Sequence, residues 1–297
     1  MPTSAPRRIT FIGIGSIGLP MAEQLHRAGF EVTGVDPSPA QRARAAGRGL
    51  RAEETPASAA DADVVVCMVA TPAQLRAVAL EQGGALRRMA GGSVLVVMST
   101  VGPAAVREVA AAAPPGVQVL DVPVTGGVAR AVTGGLSLFA AGDPATIEHV
   151  RKVLEALGTI VDCGSDVGQG QAYKAVNQLL CSVHIAAAAE ALAFAEALGL
   201  DPAAVLPAVA GGAGGSWMLS DRGPRMLEGL DAEVTSTIGI FVKDSTLVAD
   251  IAEAVGFDAP MVGAARARYL AAQEAGWEHR DDSQVIQTYR HPDLTGH

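Results

Sequence analysis

Lys174, Asn177 and Gln178 stand at i, i+3 and i+4 in the stretch VGQGQAYKAVNQLL (167–180), which is otherwise mostly glycine, alanine, valine and leucine. At that spacing all three side chains share one face of a helix. Burial disfavours the ammonium form of a lysine, and a lysine so held can take a proton from a substrate oxygen or return one. That is the chemistry a dehydrogenase needs beside a nicotinamide. Taken alone, Lys174 also fits a lysine that snorkels to the surface from a helix end. Its two polar companions on an apolar helix favour a site.

A second motif could hold the dinucleotide. ITFIGIGSIGLPMAEQLHRAGFEVTGVD contains Gly13-Ile14-Gly15-Ser16-Ile17-Gly18 directly after a strand-like run and at the head of a helix-like one. The first glycine permits the tight turn, the second lets a pyrophosphate approach the backbone, and the third lets helix and strand pack closely. Asp36 closes the next strand, 23 residues after Gly13, where a carboxylate would bond an adenosine ribose and repel a 2′-phosphate. NAD is therefore expected over NADP. Asp36 is also a natural turn-former before Pro37, and Arg42 could swing toward a phosphate. Met68 and Val69, closing the apolar run VVVCMV, are expected on the cofactor side. A third cluster, DVPVTGGVARA (121–131), reads either as a turn with two glycines or as an anion pocket. In the pocket, Thr125 and the amides of Gly126 and Gly127 would receive a substrate carboxylate.

The elements needed to position these residues are legible in outline. Strand-like runs at 9–14, 31–35, 64–69, 94–98 and 117–121 alternate with alanine-rich helical ones; LSLFAAG (136–142) adds a strand and IEHVRKVLEALG a helix. The strands lack alternation, as parallel strands covered on both faces do. After about residue 165 strand signals nearly vanish. Residues 171–198 read as one long helix stopped by Gly199; Asp201-Pro202 starts the next, AVAGGAGGS (208–216) is a break, and further helices run at 238–255 and 260–275. The expected architecture is an α/β domain over 1–165 followed by an all-helical domain over 166–297 that begins with the long helix.

Composition narrows the partners. A net charge of -9 offers no basic face for nucleic acid or an anionic membrane. The one arginine cluster, Arg42, Arg44, Arg48 and Arg51, reads as a solvated helix face. Cys67, Cys163 and Cys181 lack the spacing of a disulfide framework or a zinc site, so no metal is expected. MPTSAPRR is not followed by a signal-peptide core, and Lys174, His184, Glu190 and Glu196 interrupt the most apolar stretch; a cytoplasmic protein is expected. The long helix, apolar nearly all round, calls for burial against both domains or a partner subunit.

With these residues in hand, the chain resembles the β-hydroxyacid dehydrogenase family, which includes 3-hydroxyisobutyrate dehydrogenases and tartronate semialdehyde reductases, the two alternatives for its activity. The resemblance runs through the glycine turn, MST at 98–100, DVPVTGG, GQGQAYKAVNQLL and FVKDSTLVADIAEA at 241–254. It implies an N-terminal Rossmann domain, a long interdomain helix, an all-α C-terminal domain, and homodimers or homotetramers. It further implies Lys174 as catalytic acid/base, Thr125 and Gly126 as carboxylate ligands, and Thr100 and Lys243 as cofactor contacts. Thr125 stands where the family usually has serine, and Gln178 where 3-hydroxyisobutyrate and tartronate semialdehyde enzymes have asparagine. NQLLCSVHIAAAAEALAFAEALGL and AGGSWMLSDRGPRMLEG look most like the L-threonate dehydrogenase branch, although Gly215 replaces an expected asparagine beside Ser216 and Trp217. Asn177, Gln178, Ser216 and Trp217 are expected to shape the substrate pocket; Trp217 reads equally as core or subunit interface. Two rival readings remain. An imine reductase usually replaces the lysine and favours NADP, and a non-catalytic NAD-binding module would be expected to lose the lysine.

Overall fold

The structure, a computed structural model, describes residues 6–291. Residues 1–5 of the opening MPTSAPRR lie outside the described residues. The chain divides into two compact units, one ending at Lys174 and the other beginning at Ala175. The expected boundary at 165/166 precedes the long helix, whereas this division runs through it.

The first unit alternates strands and helices: β1 (Arg8–Ile12), α1 (Gly18–Arg27), β2 (Glu31–Val35), α2 (Pro39–Ala46), β3 (Arg51–Glu53), β4 (Val64–Cys67), α3 (Pro72–Leu80), β5 (Val94–Val97), α4 (Pro103–Ala111) and β6 (Gln118–Asp121). These six strands form one parallel sheet in the order β3-β2-β1-β4-β5-β6. Successive residues of β4 and β5 serve opposite cores: Val64, Val66, Val94 and Val96 pack on one side, and Val65, Cys67, Leu95 and Val97 on the other. That explains why their sequence shows no alternation. Helices α2, α3 and α4 open on proline, which has no amide to leave unpaired. Ser38 caps α2, and Thr71 with Gln74 forms a capping box for α3.

The unit continues through β7 (Val124–Thr125), α5 (Gly127–Thr133), β8 (Leu136–Ala140), α6 (Pro144–His149), α7 (Arg151–Glu155) and β9 (Gly158–Asp162). Here the structure differs from the sequence expectations. The strand at 136–142 exists as β8 but joins a second sheet, β7-β8-β9. IEHVRKVLEALG is two helices meeting at the buried Val150. Arg51 lies on β3 rather than on a helix, and Arg48 pairs with Glu23 at 2.8 Å. β1 ends at Ile12 because Gly13 turns the chain at φ +91, and β4 ends at Cys67 because the Val69 amide donates to Ser99 Oγ at 2.7 Å.

Helix α8 (Gln169–Ala197) begins in the first unit and leads into the second, which adds α9 (Pro202–Ala210), α10 (Trp217–Glu228), α11 (Ile238–Ala254), α12 (Pro260–Glu274), a 3-10 turn (Asp282–Ile286) and α13 (Gln287–Arg290). At 29 residues α8 is about 44 Å long. It stops where Gly199 takes φ +76 and the Leu200 amide returns to Ala195 O. Lys174, His184, Glu190 and Glu196 interrupt α8 as expected, yet by length and composition alone it is long and apolar enough to cross a membrane. Its buried Gln171, Lys174, Gln178 and Ser182 give it a polar face turned away from solvent.

Candidate active site

β1 sits where the chain departs to one side for β2 and to the other for β4, the switch point at which open α/β sheets bind ligands beyond their strand ends. The glycine turn lies at that point. A Cβ on Gly13 would stand 2.3 Å from Met68 O, and one on Gly18 would stand 1.9 Å from Gly13 O; neither position admits a side chain. A Cβ on Gly15 would meet nothing within 4 Å, so backbone at that position is open to a ligand. Ile14 is buried, packing where β2 has Gly34, while Ser16 is exposed and Ile17 leads into α1. The two oxygens of Asp36 accept from Ile14 N at 3.2 Å and Ser38 N at 2.9 Å, tying the end of β2 to the turn. Arg42 donates to Asp36 O at 2.8 Å and Pro37 O at 2.9 Å and pairs with Glu54, which occupies the guanidinium locally. Met68 and Val69 are half-buried beside Gly13. Two closed glycines, one open glycine and a strand-end carboxylate fit a dinucleotide.

The lysine end of the same unit is built on a buried polar cluster. Lys174 is 6% exposed and follows Gln171 by three residues on one helix face. Gln171 is bonded to Ser99, Val101, Gly102 and Asp121, around the half-buried Thr100. Burial pushes the Asp121 carboxyl up, opposed by hydrogen bonds from Gln171 and Gly168. Thr125 ends β7; Gly126 at φ +132 caps α5, and Gly127 at φ +69 begins it. The first amides of a helix have no carbonyl of their own helix to bond. Sequence reasoning missed Gln171, Asp121 and Ser99. The available signal was the i−3 spacing of Gln171 from Lys174.

In the second unit Asn177 Nδ2 donates to Gln178 Oε1 at 2.8 Å, and Gln178 Nε2 donates to Asp244 Oδ2. Lys243 Nζ lies 2.8 Å from Asp244 Oδ1, so Asp244, a buried residue not singled out from sequence, links Lys243 to Gln178. Ser216 caps α10 through Leu219 N at 3.0 Å. Trp217 is 55% exposed with the Arg222 guanidinium 5.8 Å from its ring centroid; it is not a core residue. A Cβ on Gly215 would stand 2.1 Å from Ala210 O, so this loop has no room for the asparagine expected there.

Residues 8–165 match the family model of the NAD binding domain of 6-phosphogluconate dehydrogenase, and residues 168–289 that of the NAD-binding domain of NADP-dependent 3-hydroxyisobutyrate dehydrogenase. An L-threonate dehydrogenase of Cupriavidus necator is 36% identical over 98% of both chains. The chain belongs to the β-hydroxyacid dehydrogenase family. This dehydrogenase is also 32% identical to a 3-hydroxyisobutyrate dehydrogenase of Pseudomonas aeruginosa, over 96% of this chain and 99% of that one. A crystal structure described as 3-hydroxyisobutyrate dehydrogenase from Salmonella typhimurium superposes with a TM-score of 0.87 at 34% identity, covering 95% of this chain and 99% of that one. The dehydrogenase is thus a nicotinamide-dinucleotide oxidoreductase acting on CH–OH groups, with a Rossmann-type sheet followed by a helical domain.

Proposed function

We propose that the dehydrogenase oxidises a small hydroxy acid with NAD, its substrate being a four-carbon sugar acid such as L-threonate. The observation that carries the catalytic reading is Lys174, an amine buried to 6% exposure on a helix face whose polar neighbours are amides. In this reading Lys174 Nζ takes the proton of the substrate hydroxyl as the C–H bond breaks. Bound NAD supplies the hydride acceptor. The Thr125 hydroxyl and the amides of Gly126 and Gly127 hold the carboxylate and so fix the reacting carbon, which is a positioning contribution. In the same reading Gly13 to Gly18, Asp36, Met68, Val69, Thr100 and Lys243 are dinucleotide contacts, and Asn177, Gln178, Ser216 and Trp217 are substrate contacts. Support for L-threonate comes from the Cupriavidus necator relative and from Gln178. The enzyme in this reading is a cytoplasmic homodimer or homotetramer whose partner in catalysis is a small carboxylate, with no nucleic acid or membrane.

The test is NADH or NADPH formation by purified protein with L-threonate, D-erythronate, glycerate and 3-hydroxyisobutyrate, with Lys174→Ala alongside. L-threonate with NAD is expected to give the highest kcat/KM, and the alanine variant to lose about 10²- to 10⁴-fold in kcat. Turnover of 3-hydroxyisobutyrate alone would keep the mechanism and replace the substrate. Unchanged turnover in Lys174→Ala would remove the lysine's role.

A further inference from the structure

Three stretches that stand out in the sequence, MST at 98–100, DVPV at 121–124 and GQGQAYK at 168–174, meet at one buried side chain that the mechanism above does not use. Gln171 is 1% exposed. Its Oε1 accepts from Val101 N and Gly102 N, both at 2.9 Å, and its Nε2 donates to Ser99 O and Asp121 Oδ1, both at 2.9 Å. Both donors and both acceptor sites of the amide are thereby used, and only one orientation of the amide satisfies them. Asp121 Oδ2 in turn accepts from Gly168 N and Gln171 N, at 2.9 Å each, so the end of β6 supplies the cap for the first turn of α8. Gly170 makes the contact close: a Cβ there would stand 2.4 Å from Phe139 O and 2.7 Å from Asp121 O.

Two groups of the reaction hang on this junction. Helical side chains lean toward the helix N-terminus, so the stem of Lys174 extends back over the turn that Gln171 anchors. The bonds to Ser99, Val101 and Gly102 bracket Thr100 on both sides. We propose that Gln171, oriented by Asp121, is a positioning residue that locks the first turn of α8 against residues 99–102. It thereby sets the geometry between Lys174 and the Thr100 segment. The inference rests on the reading of Lys174 as the acid/base. A rotation of α8 by about 20° would carry an atom about 6 Å from the helix axis through about 2 Å, and a displacement of about 1 Å at a reacting group can cost about 10²-fold in rate.

The discriminating variant reverses the polarity of the junction. Gln171→Glu keeps the shape but turns an acceptor toward Ser99 O and Asp121 Oδ1; Asp121→Asn in the same chain returns a donor to that contact. Gln171→Glu is expected to lower kcat by about 10²-fold with substrate KM and the NAD dissociation constant within about threefold of wild type. The double variant is expected to recover about tenfold or more. Gln171→Met, apolar and of similar length, removes all four side-chain bonds. In the cofactor-free protein it should change the rate of reductive methylation of Lys174 relative to Lys152, a reading by mass spectrometry that needs no turnover and is simple in a chain with three lysines. A kcat within threefold of wild type in both single variants overturns the proposal, as does an unaltered methylation rate in Gln171→Met. Loss of the fold in both also overturns it, because Gln171 would then serve folding alone. Lys174→Ala separates this from the parent reading: activity retained there removes the lysine, whereas an inactive Lys174→Ala beside fully active Gln171 variants removes only the positioning role.

Discussion

At the scale of single residues, Asp36 bears most directly on cofactor choice. Its two oxygens already receive the Ile14 and Ser38 amides, so the carboxylate is held at the end of β2 beside the glycine turn. A fixed negative charge there opposes a 2′-phosphate, and the nearby Arg42 is engaged with the carbonyls of Asp36 and Pro37 and with Glu54. Asp36→Asn keeps the shape and one acceptor but removes the charge. The ratio of kcat/KM for NAD over NADP is expected to fall about tenfold, equivalent to about 1.4 kcal/mol, in initial-rate assays with each cofactor. An unchanged ratio would mean that discrimination lies elsewhere.

At the scale of elements, α8 has two faces with different duties. One buries Gln171, Lys174, Gln178 and Ser182. The other leaves Tyr173, Val176, Leu180 and Phe194 exposed; the steps of three and four residues from Tyr173 to Val176 and Leu180, and the 14 residues (close to four turns) from Leu180 to Phe194, keep these side chains in a stripe. The self-association proposed for the enzyme would cover this exposed apolar stripe. Leu180→Glu is expected to shift the protein toward a monomer in light scattering after size exclusion at micromolar concentration. A wild-type protein that already elutes as a monomer would remove the oligomer from the proposal.

For the whole molecule, stability depends on a buried ionic network in the second unit. Arg222 bonds Asp282 at 2.9 Å and Arg225 bonds Asp281 at 3.1 Å, and both aspartates are wholly buried. Burial pushes the Asp282 carboxyl from its ordinary 3.8 up to about 6; Arg222 opposes this and the neighbouring Asp281 adds to it. Burial alone would also raise Asp281, but hydrogen bonds from Ser283 and Thr235 and the charge of Arg225 outweigh it and hold that carboxyl low. The signs therefore differ. The folded state binds the Asp282 proton more tightly than the unfolded chain, so its contribution is full below about pH 4 and is lost as pH rises through 6, by on the order of 3 kcal/mol. The contribution of Asp281 is present above about pH 4 and lost below it. Relative to wild type, Asp282→Asn should gain in thermal midpoint between pH 4 and 7; a difference that is constant across that range would refute the assignment.

The glycine turn, the apolar runs of β4 and β5, Asp36, the helix stops and the polar face around Lys174 were all legible in the sequence, because each depends on local spacing: period, caps, and residues with one conformational use. β3 and β7 were not, since strands of three and two residues carry too little pattern to be read. Gln171 looked like one more polar residue in a helix; its four bonds reach residues 50 to 72 positions away, and only folding brings those together. The same holds for Asp244, which joins Lys243 to Gln178 across 66 residues. Local periodicity and turn chemistry determined the order of elements and the motifs on them. The tertiary structure alone decided which buried amides and carboxylates meet, because hydrogen bonds between distant segments leave no trace in spacing.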